Sequence, residues 1–138
     1  MALVLDTGPV VAALNCGDPA HHRCAALLSD WPEELVLPVP VLVEIDYWLR
    51  KLGGPQVWQG LVADVADGLY RLEQLREQDL LRAAELESTY RDLRLGLVDA
   101  SVLAVCERLR EPKVATLDRR HFAVVRPRHC AALTLLPE

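Results

Sequence analysis

Apolar residues fall into two patterns along this chain. Five short runs are spaced along it: ALVL at 2–5, LVLPV at 35–39, LYRL at 69–72, KVAT at 113–116 and ALTLL at 132–136. Several are apolar at consecutive positions, as in strands covered on both faces of a parallel sheet. Between them the spacing becomes helical. Val41, Ile45, Trp48 and Leu52 repeat at four, three and four, behind Pro40 and before Gly53-Gly54. Such a segment has a proline suited to a first turn and a glycine stop. Leu80, Ala83, Leu86, Tyr90 and Leu93 predict a second amphipathic helix. Val98, Val102, Val105 and Leu109 predict a third, closed by Pro112. Residues 19–30 and 55–67 are also expected to be helical. Strands alternating with helices predict an α/β domain with a mainly parallel sheet of about five strands.

The length of 138 residues fits one domain, 1–138, with a sizeable core. With 51% hydrophobic and 25% charged residues, the composition is that of an ordinary globular protein. Charges break every apolar stretch before it reaches a bilayer-spanning length. The N-terminus lacks a basic region and a small-residue cleavage site, so no signal peptide is predicted and a cytoplasmic location is expected. Cys16, Cys24, Cys106 and Cys130 form no Cys-x-x-Cys pair. Neither a disulfide framework nor a zinc site is read from them or from His21 and His22.

Charge changes the picture by its distribution. The net charge is −5, yet the segment from Arg119 to Pro137 holds four arginines, two histidines and no carboxylate. Arg119 and Arg120 are therefore candidates to hold phosphates of a nucleic acid.

Four carboxylates sit where solvation does not explain them. Asp6 ends the first strand in LVLDTGPV and precedes a turn through Thr7, Gly8 and Pro9. Asp118 repeats that layout in KVATLDRRH. Glu44 lies among apolar residues in VPVLVEIDYWL, and Asp99 in LGLVDASVLAVC. Each taken singly has a structural explanation, as a helix cap or a first-turn acid. Asp46 and Asp92 are read as exposed helix-face residues. In open parallel sheets, sites form at the carboxyl ends of strands beside helix N-termini, and all four acids are placed where they can reach that rim. Two carboxylates about 4 Å apart repel by roughly 1–4 kcal/mol, so several together call for a divalent cation. Oxygen donors favour Mg²⁺ or Mn²⁺ over zinc, and such an ion suits phosphodiester hydrolysis. Thr116, two residues before Asp118, is placed to orient a water or a carboxylate.

Those residues carry a resemblance. The chain resembles the PIN-domain ribonucleases, and within them the VapC-type toxins of toxin–antitoxin pairs. LVLDTGPVVAALN is similar to the opening acidic motif, with Asp6 and the hydroxyl residue Thr7. PVLVEIDYWL is similar to the second motif, with Glu44, and LGLVDASVLAVCERL to the third, with Asp99. VATLDRRHF is similar to the fourth, with Thr116 and Asp118 in a Thr-x-Asp arrangement. The resemblance spans nearly the whole chain. It implies a five-stranded parallel sheet between helices and Mg²⁺- or Mn²⁺-dependent RNA cleavage by Asp6, Glu44, Asp99 and Asp118. It also implies a homodimer and a small VapB-like antitoxin whose tail lies across the acidic pocket.

Two other readings remain open at this stage. One is an aspartate-based phosphatase acting through Asp6. Such enzymes need a second acid two residues on, where this chain has Gly8, and a nearby lysine, of which there are only Lys51 and Lys113. The other is a non-catalytic RNA- or protein-binding module. Trp31, Trp48 and Trp58 are shared between core packing and an interface, with Trp48 assigned to the core by its helical register.

Overall fold

A computed structural model describes residues Met1–Glu138. Five parallel strands form one sheet in the order β3-β2-β1-β4-β5. They are β1 (Leu3–Leu5), β2 (Leu35–Pro38), β3 (Arg71–Glu73), β4 (Lys113–Ala115) and β5 (Thr134–Leu136). The consecutive apolar residues of β1 and β2 are buried on both faces, as the runs predict. β1 is central. It pairs Val4 with Val36 on one side and Val4 with Val114 on the other.

Seven helices cover the sheet: α1 (Thr7–Ala13), α2 (His21–Asp30), α3 (Val39–Gly53), α4 (Pro55–Ala66), α5 (Glu77–Thr89), α6 (Leu97–Leu109) and α7 (Arg119–Phe122). α6 is buried along most of its length, from Ala100 to Cys106, and packs against α5. α1 packs against both α2 and α3. Gly54, at φ 77°, makes the break between α3 and α4, a left-handed conformation that glycine adopts without penalty. No helix is long and apolar enough to cross a membrane.

Four local expectations are corrected. Thr7, Gly8 and Pro9 do not form a free turn; they are the first turn of α1. The third strand lies at Arg71–Glu73, two residues later than the LYRL run begins, and is an exposed edge strand. The core stripe of α3 is Val41, Ile45 and Leu49, spaced at four and four. Trp48 and Leu52 therefore turn outward and are 47% and 51% exposed. Leu80 likewise faces solvent, while Asp79, Ala83 and Leu86 form the buried side of α5.

The buried Asp79 belongs to an ion-pair interlock at the end of α6 remote from Asp99. Arg108 Nε donates to Asp79 at 3.0 Å, and Arg82 Nε to Glu107 Oε1 at 2.7 Å. Arg128, from the arginine-rich C-terminal segment, donates to Glu85 Oε2 at 2.8 Å. These pairs tie α5, α6 and the segment before β5 together.

Candidate active site

The strand order fixes where a site can form. From β1 the chain runs outward through β2 and β3, then crosses back to place β4 on the other side of β1. Ligands of such sheets bind outside the carboxyl ends of the strands at this switch point. Asp6 follows β1 there, and Thr116 and Asp118 follow β4. The Asp6 backbone N–H donates to the Ala115 carbonyl at 2.9 Å, which holds the two strand ends together.

Asp6 is 5% exposed. It occupies the N-cap position of α1, but its side chain makes no capping bond. Its Oδ2 instead accepts from the Thr116 hydroxyl at 2.8 Å. With its proton so committed, Thr116 Oγ1 accepts from the Asp118 backbone N–H at 3.0 Å. Burial pushes the Asp6 carboxyl up to about 6. The Thr116 bond opposes that rise, and the charges of Asp99 and Glu44 add to it.

Glu44 stands in the second turn of α3, and its Oε1 accepts from the Thr7 hydroxyl at 2.7 Å. Asp99 lies in the first turn of α6, where the helix dipole favours a carboxylate. Burial still raises its carboxyl above the ordinary value. A hydrogen bond from His121 works against this, and the charge of Asp118 works with it. Asp118 caps α7: its carboxylate accepts from the His121 backbone N–H at 3.1 Å.

All four acids line one cleft of about 750 Å³. Thr7 lines it too, and Trp48, Leu52, Val11 and Leu117 supply its apolar walls. A Cβ on Gly8 would meet the Leu117 side chain at 3.3 Å, so glycine lets α1 approach the loop after β4 closely. Arg119 and Arg120 lie outside the cleft lining. Arg119 donates to the Pro137 carbonyl at 2.9 Å, and the exposed Arg120 has no ion-pair partner. Neither lysine reaches the acids. Lys51 lies over the Tyr47 ring and Lys113 over the Trp31 ring, which removes the lysine that a phosphatase reading requires.

The sequence reading missed several residues. Asn15 and Asp18 line the mouth of the cleft from the loop after α1. His121 places Nδ1 2.8 Å from Asp99 Oδ2 and 2.9 Å from Asp118 Oδ2. Its signal was its position three residues after Asp118, which brings the two side chains to one side of a helical turn. The arginines around it made it look like part of a basic tail.

The PIN domain family model matches residues 3–126. The chain belongs to that family. Over 135 residues this PIN domain is 27% identical to Ribonuclease VapC26 of Mycobacterium tuberculosis, which covers 98% of this chain and all of the relative. Its fold is similar to that of VapC20 of Mycobacterium tuberculosis, described as a sarcin-ricin loop cleaving toxin. The TM-score is 0.75 at 21% identity, over 81% of this chain and 86% of that one. It is also similar to VapBC2 from Rickettsia felis, solved bound to a DNA fragment from its promoter. There the TM-score is 0.71 at 16% identity, over 99% of this chain and the whole of the other.

The donor set fits a divalent ion. Asp18 joins the four acids in lining one cleft, and the neighbouring carboxylates add to the burial that raises the proton affinity of Asp6 and of Asp99. No lysine or arginine lines that cleft to neutralise them. Hard oxygen donors without a thiolate suit Mg²⁺ or Mn²⁺.

Proposed function

We propose that this PIN domain, taken as one unit over residues 1–138, is a divalent-metal-dependent endoribonuclease and the toxin of a toxin–antitoxin pair. The observation that carries the reading is the meeting of Asp6, Glu44, Asp99 and Asp118 in one cleft at the sheet's switch point. Ribonuclease VapC26, similar over its full length, supports it.

In this reading Asp6, Glu44 and Asp99 hold the ion, and Asp118 completes a second position or orients water. A bound Mg²⁺ or Mn²⁺ supplies the positive charge that phosphodiester hydrolysis needs at the scissile phosphate. The chain's own residues supply the positioning. Thr116 aims Asp6, and Thr7 aims Glu44. The free guanidinium of Arg120 is available to a flanking phosphate, and Arg119 can join it by releasing Pro137. The acidic cleft repels a phosphate backbone until the ion fills it.

A small VapB-like antitoxin is the partner proposed from the VapBC2 likeness, with a homodimer as the active assembly and the cytoplasm as the place of action. The half-exposed Trp48 and Leu52 at the cleft wall give such a partner an apolar anchor beside the acids.

The test is to map RNA ends after brief expression of the wild type, Asp6→Asn and Asp99→Asn. New ends are expected from the wild type alone, and chelation is expected to stop cleavage by the purified protein. Full activity of folded Asp99→Asn, or activity indifferent to chelator, would refute the reading.

A further inference from the structure

His121 stands inside the carboxylate group without belonging to the four acids. Its imidazole is wedged between carboxylates from two elements, Asp99 on α6 and Asp118 before α7. Two features hold it there. The His121 backbone N–H is bound by the Asp118 carboxylate, and the next residue, Phe122, is buried at 1% exposure. One donor atom each from Asp99, Asp118 and His121 lies within 4.8 Å of the other two. Donors sharing one ion at about 2.1 Å sit roughly 3 Å apart in adjacent coordination positions. The Nδ1-to-oxygen distances of 2.8 and 2.9 Å are hydrogen-bond contacts in the metal-free protein, and they match that spacing once an ion takes the place of the Nδ1 proton.

We propose that His121 is a direct nitrogen ligand at one metal position, which makes the Asp99–Asp118–His121 corner a mixed nitrogen–oxygen site selective for Mn²⁺ over Mg²⁺. The inference rests on the metal-dependent reading above and deepens it. Mg²⁺ takes oxygen donors and dehydrates reluctantly, whereas imidazole suits first-row transition ions. Asp6 and Glu44 keep an all-oxygen environment on the other side of the shared Asp99. The two sides of one cleft then differ in the ion they prefer.

A hydrogen-bonding role alone would give a different result. A histidine that only orients Asp99 and Asp118 weakens every ion at the site by a similar factor, about 10–100-fold for such outer-shell partners. A ligand affects Mn²⁺ selectively and couples magnetically to it.

The experiment uses the full chain with Mn²⁺ alone as the probe. Electron spin-echo modulation of bound Mn²⁺ is expected to show an imidazole nitrogen, and the pattern should change when histidine is labelled with ¹⁵N. In calorimetric titrations, His121→Gln is expected to lower Mn²⁺ affinity about tenfold while Mg²⁺ affinity moves less than about threefold. The wild-type spectrum decides the matter even if the variant folds poorly. Bound Mn²⁺ without nitrogen coupling overturns the inference and leaves the metal-dependent reading standing. Parallel loss of both affinities overturns it in the same way. No ion binding by the wild type overturns that reading itself.

Discussion

Replacing Asp6 with asparagine should stabilise the metal-free protein at neutral pH while silencing its nuclease activity. The carboxyl is pushed up from 3.8 to about 6, burial being the largest cause. A carboxyl raised in this way holds its proton more tightly folded than unfolded. Its contribution to stability is full below 3.8 and is lost as pH rises through about 6. A rise of about 2 units, at about 1.4 kcal/mol each, makes the ionised group destabilising by about 3 kcal/mol above neutrality. Asparagine has the same shape and no charge, and its amide oxygen still accepts from the Thr116 hydroxyl. The amide replaces the carboxyl's hydrogen bonds imperfectly, so a gain of about 1–3 kcal/mol is expected. Urea unfolding in chelator, at about pH 7.5 and near pH 4, measures it. The gain should be present at the higher pH and shrink toward zero at the lower one. Added Mn²⁺ should then stabilise the wild type and not the variant. An Asp6→Asn protein no more stable than wild type at neutral pH, or stabilised equally at both, refutes the argument that ionisation of this buried group opposes folding.

Thr116→Val keeps the β-branched shape and removes the hydroxyl that links Asp6 to the Asp118 backbone. It should lower stability by about 1–3 kcal/mol, read by chemical denaturation, and reduce cleavage at saturating metal. Burial raises the Glu107 carboxyl, but hydrogen bonds from Arg82 and the Arg128 backbone outweigh it, so its folded value is net lowered. Its stabilising contribution is therefore present above 4.5 and lost as pH falls through the folded value. Glu107→Gln should lower stability by about 2 kcal/mol at neutral pH, with the deficit narrowing as pH falls below 4.5. A pH-independent deficit would instead assign the loss to packing. Arg120→Ala should weaken binding of uncleaved RNA and flatten its salt dependence by about one phosphate contact, while leaving metal affinity unchanged.

Much of the site was legible because strand ends are easy to find. Leu3 to Leu5 and Val114 to Ala115 are short apolar stretches that stop abruptly, and the acid that follows each marks the sheet rim. Glu44 and Asp99 stood out because their neighbours are apolar. The sequence pattern does not say which of two similar layouts does which job. Asp6 and Asp118 both follow a strand and both precede a helix, yet only Asp118 caps its helix. Asp6 is held by a threonine 110 residues away, a partner that only the β1–β4 pairing supplies. Trp48 was misassigned because a stripe of four-three-four and one of four-four diverge by a single residue. That step moves the tryptophan from the core to the cleft wall.

The site joins a rigid half to a soft half. Asp6 and Thr116 ride on two paired central strands, so their separation follows from the sheet. Asp118 and His121 ride on α7, which has four residues and is too short to sustain its own helical structure. It holds its shape through the Asp118 cap and the buried Phe122. Alanine at position 118 would remove a carboxylate and unfasten His121 in one stroke, so its effect on metal binding could not be assigned to either. Asparagine keeps a capping oxygen but replaces the other, 2.9 Å from His121 Nδ1, with an NH₂ group. The difference between Asp118→Asn and Asp118→Ala therefore isolates the geometry that α7 supplies. The loss in Asp118→Asn reports the charge and the second oxygen of the carboxylate, with the cap left in place.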